Sequence, residues 1–254
     1  MQEVFWILWI PFAGSVLGSL AVFFVREEVS FLAETVLSGL SAGVMVAASV
    51  FSLLIPAIEE SASYGFFAAI PSLVGLAVGF LLMRGFDCFA DRLMRRASVP
   101  SLSHRRVFLL TLAVTIHNLP EGMAVGVALA GLLSGESGMT LASVMALAVG
   151  VAIQNIPEGS IISLPLSSNG MKTPRAFFVG VLSGAIEPVG AALTLLATGL
   201  VLPILPYLLG FAAGAMLSVV VSELIPATIE KKGWGSMAFA AGFSVMTFLD
   251  VALG

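Results

Sequence analysis

The 254 residues are 59% hydrophobic and only 10% charged, with a mean hydropathy of +1.08, whereas soluble domains carry about a quarter charged residues. This excludes a soluble body of any size and makes lipid the main solvent of the chain. The net charge of −4 says little about partners, but the few basic residues form no long stripe, which argues against nucleic acid, and a lone Cys88 excludes an internal disulfide or a thiolate metal cage.

A spanning helix needs roughly 20 apolar residues. The first apolar run, about 4–25, has no basic residue before it and meets Arg26, Glu27 and Glu28, so it reads as a span and not as a cleaved signal. Seven more follow at about 35–58, 65–87, 107–132, 139–165, 175–198, 203–229 and 234–252. Turn signals at 135–138, 167–170 and 231–235 separate neighbours, and connections this short predict antiparallel packing. The chain is thus expected to be an all-α polytopic membrane protein with a single transmembrane domain over 1–254. All 11 Lys and Arg fall on one side, in or bordering the connectors after spans 1, 3, 5 and 7. The positive-inside rule then keeps both termini outside the cytoplasm, in the cell's inner membrane. The longest connector, about Asp91 to Arg106, holds Arg, Ser, Pro and His104, and reads as a solvated basic anchor.

Ionisable groups inside spans cost about 2.5–3.5 kcal/mol or more at the bilayer centre and mark sites or pathways. Span 4 reads Thr-Ile-His-Asn-Leu-Pro-Glu-Gly from Thr115, and span 5 reads Ala-Ile-Gln-Asn-Ile-Pro-Glu-Gly from Ala152, a near copy. His117 and Glu121 are one helical turn apart on one face, with Asn118 about 100° round; Gln154, Asn155 and Glu158 repeat the geometry. Pro120 and Pro157 free the carbonyls of Ile116 and Ile153 and are expected to loosen or kink their helices. Span 6 adds Glu187, span 7 adds Glu223 and span 8 adds Asp250 near its end. Glu121, Glu158 and Glu187 have no mid-membrane Lys or Arg to pair with, so either they are protonated or a cation sits among them. Carboxylate, imidazole and amide donors together suit borderline divalent metals: Zn²⁺, Cd²⁺, Fe²⁺ or Mn²⁺.

The run His117-Asn118-Leu119-Pro120-Glu121-Gly122 resembles the signature of the ZIP (Zrt/Irt-like protein) family of divalent-metal transporters, in its prokaryotic GufA-like branch. Span 2 from Ala42 to Met45 and on to Pro56, the segment Ser183 to Pro188, and the ending Phe248-Leu249-Asp250 with Ala252-Leu253-Gly254 resemble it too. The resemblance implies eight helices, with helices 1–3 and 6–8 as inverted repeats around helices 4–5, and up to two metal ions between helices 4, 5 and 6. By motif, His117, Glu121, Gln154 and Glu158 would hold the first, with Met45 and Glu187 nearby. Asn118, Asn155 and Glu187 would hold the second, with Glu121 and Glu158 bridging. Many family members have His or Asp where this chain has Gln154 and Asn155. Three carboxylates then face two divalent ions, −3 against +4, so the second site is expected to be the weaker. Ser222, beside Glu223, stands where similar bacterial sequences can have His.

The function implied is carriage of a divalent transition metal, zinc foremost from the Met, His and Gln mixture, through the midplane by alternating access and into the cytoplasm. A homodimer is one assembly to consider. Gly122, Gly126 and Gly131 on span 4, with Gly180 and Gly184 on span 6, permit close packing. Glu59 and Glu60 stand at the outer mouth, and Asp87, Asp91 and Glu223 at the inner one. A metal-gated channel or a transport-inactive sensor of the same fold are the alternatives. An intramembrane metalloenzyme is disfavoured: there is no His-Glu-x-x-His pair, and the chain has two histidines in all.

Overall fold

A computed structural model describes residues 6–24, 30–96, 104–135, 139–168, 170–229 and 233–253. These residues form eight helical stretches and no strand. Helix α1 is Ile10–Ser19, closed by a 3-10 turn at Leu20–Phe23. Helix α2 is Phe31–Ala47, capped by Ser30, whose Oγ accepts from the Ala33 N–H; it runs on through a π-helical stretch at Ala48–Leu54 to Ile55–Glu60. Helices α3, α4 and α5 are Ile70–Arg96, His104–Ser134 and Leu141–Ser168. Helix α6 is Thr173–Gly184 continued by Ile186–Leu196, α7 is Leu205–Val219 continued by a π-helical Val220–Leu224 and Ile225–Ile229, and α8 is Trp234–Leu253.

Among the described residues, five helices are long and apolar enough to cross a bilayer: 35–60, 141–164, 173–196, 198–229 and 234–252. Ile10–Phe23 and Ile70–Phe86 are shorter apolar helices, and α4 is a 31-residue helix. The molecule is an all-α polytopic membrane protein. Span 3 differs from its expected bounds, because a 3-10 turn broken at Gly65 (φ 53°) occupies 62–67 and the helix starts only at Ile70. At its other end α3 continues to Arg96, and α4 begins at His104, so most of the connector expected at 91–106 is helical. Arg, Leu and Met are good helix formers and extend the helix beyond its apolar part.

Helices α4 and α5 stay continuous through Pro120 and Pro157. The backbone departs from α-helical bonding before Pro56 and Pro226 instead, where Ile55 N–H donates to Val50 O and Ile225 N–H to Val220 O, five residues back. A proline removes one donor; widening the preceding turn by one residue re-pairs the backbone around the gap. Both π stretches lead into the same tetrapeptide, Leu54-Ile55-Pro56-Ala57 and Leu224-Ile225-Pro226-Ala227.

The most extensive helix contacts are α3 with α7, α2 with α8, α1 with α5 and α4 with α6. Exchanging 1 with 6, 2 with 7, 3 with 8 and 4 with 5 maps this set of pairs onto itself, as expected of two three-helix repeats. Glycines make each pairing a backbone-to-backbone contact: a Cβ on Gly79 would lie 2.1 Å from Phe211 O, on Gly242 2.1 Å from Leu40 O, on Gly14 2.1 Å from Ala152 O, and on Gly122 2.1 Å from Glu187 O. Lipid offers apolar surface as good as another helix, so such close approach is what holds helices together there. Two four-helix sets result, α1, α4, α5 and α6 in one, and α2, α3, α7 and α8 in the other.

Candidate metal centre

The first set is joined by buried polar side chains, and the Pro-Glu-Gly motifs explain how. Each glutamate is followed by a glycine that seats its helix on a neighbour: Gly122 against the backbone of Glu187 on α6, Gly159 against the backbone of Ser15 and Ser19 on α1. The preceding glutamates and amides are thereby carried to within hydrogen-bonding distance of one another.

Gln154 stands at the middle. Its Nε2 donates to Glu121 Oε2 at 2.7 Å and to Asn155 Oδ1 at 2.7 Å, and Glu158 Oε1 lies 3.4 Å away. Asn155 Nδ2 donates to Glu187 Oε2 at 2.8 Å and to Pro11 O at 3.2 Å. Glu187 Oε1 accepts from Ser15 Oγ at 3.0 Å and from Asn118 Nδ2 at 3.3 Å, and the same Nδ2 lies 3.3 Å from Ser183 O. Glu121, Gln154, Asn155, Asn118 and Glu187 are 0–2% exposed; Glu158 is half-buried. The partners of Glu121 and Glu187 are therefore neutral amides and a hydroxyl, which moderate a buried negative charge without cancelling it.

Two amide oxygens remain over. Gln154 Oε1 and Asn118 Oδ1 are buried without a hydrogen-bond partner, at a cost of about 1–3 kcal/mol each. An amide that points its nitrogen at three oxygens while its own oxygen goes unused exchanges the two on a half-turn of its plane. Glu121 Oε2, Asn155 Oδ1 and Glu158 Oε1 converge on the position of the amide nitrogen, and a half-turn would add Gln154 Oε1 to them. Carboxylate and amide oxygens converging on one point are a donor set of the kind a divalent cation takes.

Among the described residues no three His, Cys, Asp or Glu side chains lie close enough together to hold a metal on their own; amides interleave the carboxylates. His117 sits on α4 one turn before Glu121, but its side chain lies outside the described ones, as do those of Asp87, Asp91 and Glu223. Met45 is wholly buried on α2, and Ser49 Oγ donates to its carbonyl at 2.7 Å. Ser222 Oγ donates back to Ser218 O at 2.8 Å, which engages it within its own helix.

Sequence reasoning missed Ser15 and Pro11 of α1, since a serine or a carbonyl in an apolar helix carries no signal until its neighbour is known. It also missed how Asp250 is used. Asp250 Oδ1 accepts from Ser52 Oγ at 2.7 Å and lines a cleft of about 390 Å³ with Ser52, Glu59, Glu60, Thr140 and Ser143. Glu59 is exposed at its rim.

A family model described as ZIP zinc transporter matches residues 93–250. The chain is 38% identical to zinc transporter ZIP11 of Xenopus tropicalis, over 85% of this chain and 87% of that one. It is 37% identical to zinc transporter ZIPB of Bordetella bronchiseptica, over 96% and 79%, and 35% identical to zinc transporter GufA of Myxococcus xanthus, over 94% of each.

Proposed function

Because this chain belongs to the ZIP family of zinc transporters, we propose that it carries zinc across the membrane through the polar cluster of α4, α5 and α6, by alternating access. The convergence of three oxygens on the Gln154 amide nitrogen supports this reading most directly. In the loaded state a Zn²⁺ ion takes that position, Gln154 turns its oxygen inward, and His117 and Glu158 complete the donors. Carboxylate oxygens and imidazole nitrogen hold Zn²⁺ at about 2.0–2.2 Å, so the surrounding oxygens close in as the amide leaves. Cd²⁺, Fe²⁺ and Mn²⁺ accept the same donors and are competitors.

The Lys and Arg distribution orients the cleft of Glu59, Glu60 and Asp250 outward, where its acids concentrate cations before they move inward. The four helices joined by the polar cluster form the carrying unit, and α2, α3, α7 and α8 the frame against which it moves. An enzyme is not proposed, since each donor at the cluster is used as a ligand and none is left as general base.

Uptake of radiolabelled zinc into proteoliposomes tests the reading: flux should saturate with zinc, compete with cadmium and fall in His117→Ala and Glu158→Ala. Linear, non-saturating flux would favour a channel and count against a carrier.

The second ion position is the weaker one, because Asn155 spends its amide on Glu187 and on Pro11 O and brings no charge. Asn155→Asp is therefore expected to raise the zinc stoichiometry measured by calorimetry from one to two ions per chain at low micromolar metal. A wild type that already binds two with equal affinity would refute the inequality.

A further inference from the structure

Ser41 lies on α2, in the other four-helix set, yet its hydroxyl donates to the backbone oxygen of Gln154 at 3.3 Å in a buried contact. The bonds of the polar cluster described above run among α1, α4, α5 and α6. The Ser41 bond crosses from one set to the other, and it ends on the residue whose amide occupies the centre of the oxygen cage.

Three features make this bond a contact of register and not of folding. Ser41 and Gln154 are each 1% exposed, so water does not compete for the bond. Helix α5 is unbroken here, so the Gln154 carbonyl also faces the Glu158 N–H four residues on; losing the hydroxyl leaves no orphaned acceptor. A displacement of α5 along α2 by even one turn, about 5.4 Å, carries the carbonyl out of a serine's reach. Met45 is the next residue on the same face of α2, four positions from Ser41, so the register that lets Ser41 reach Gln154 also sets which part of the carrying unit Met45 faces.

We propose that Ser41 is a positioning residue, a latch that holds the carrying helices in the register seen here and must be released for the metal to cross. This rests on the carrier reading given above.

The full-length protein in proteoliposomes provides the test, with Zn²⁺ as the probe. Ser41→Ala removes the donor with little change of volume. Maximal zinc flux is expected to rise about two- to tenfold, the range open to one neutral hydrogen bond, while zinc affinity in detergent stays within about twofold of wild type, because no cluster side chain is touched. Ser41→Thr keeps the hydroxyl and restores wild-type flux; Ser41→Cys, a weaker donor, falls between. A flux that is unchanged or lower in Ser41→Ala, or a parallel loss of flux and affinity that Ser41→Thr does not rescue, overturns the latch and leaves the carrier reading intact. Absence of zinc flux in the wild type overturns the carrier reading, and the latch with it.

Discussion

Glu121→Ala is expected to weaken Zn²⁺ binding at the polar cluster by at least about a hundredfold and to abolish flux. Glu121 is 2% exposed and accepts from Gln154 Nε2 at 2.7 Å, so in the proposed mechanism its carboxylate would supply both a charge to the metal and the anchor of the amide that yields its place. Alanine removes both. Glu121→Gln separates the two roles, since it keeps the volume and a hydrogen-bonding group while removing the charge. If charge neutralisation is what draws the ion to mid-depth, Glu121→Gln fails nearly as completely as alanine. Calorimetry with detergent-solubilised protein checks the affinity, and Glu121→Gln retaining wild-type binding would show that the carboxylate is there for hydrogen bonding alone.

Gly122→Val should be strongly disruptive although it replaces no proposed ligand. A Cβ at Gly122 would lie 2.1 Å from the carbonyl oxygen of Glu187 and 2.6 Å from its Cα. These are backbone atoms, which cannot rotate aside as a side chain would. The contact forces α4 away from α6 and carries Glu121 and Asn118 away from Glu187. Overpacking costs about 1–3 kcal/mol when side chains can yield, and more is expected here. Thermal unfolding in detergent should show a lowered midpoint together with lost zinc binding. Gly85 has no heavy atom within 4 Å of an added Cβ, so Gly85→Val is the matched control and should be close to neutral. Equal midpoints for Gly122→Val and wild type would mean that the α4–α6 contact is looser than described.

The cluster residues were legible in the sequence because their chemistry is out of place. Carboxylates and amides in an apolar span announce themselves, and the copy of one motif in the other gave the spacing that puts Asn118 and Glu121, or Gln154, Asn155 and Glu158, on adjoining faces. The way they meet was not legible. Gln154 bridges Glu121 and Asn155, and Asn155 bridges to Glu187, so the amides serve as connectors in this state, a role that depends on helix separations of a few tenths of an ångström. Helix α1 contributes Ser15 and Pro11 O, and neither differs in kind from the many small or apolar residues of an ordinary span.

The fold was legible to the level of eight apolar stretches, and least so at the prolines. Pro120 and Pro157, expected to loosen or kink their helices, lie within the continuous helices α4 and α5, while Pro56 and Pro226 sit just beyond π-helical turns. A signal for the latter was present: Leu-Ile-Pro-Ala occurs in both α2 and α7. That repetition marks two helices that play equivalent parts within one four-helix set, a likeness between spans 2 and 7 of the same kind as that between spans 4 and 5.

The position of zinc itself decides the matter most directly. In crystals of the full-length protein soaked at low zinc concentration, anomalous scattering at the zinc edge should place an ion among Glu121, Asn155 and Glu158, where the Gln154 amide nitrogen stands in this structure, with that amide turned to present its oxygen. Zinc found solely in the cleft beside Glu59 and Asp250, with the Gln154 hydrogen bonds undisturbed, would contradict a cation cage at mid-depth.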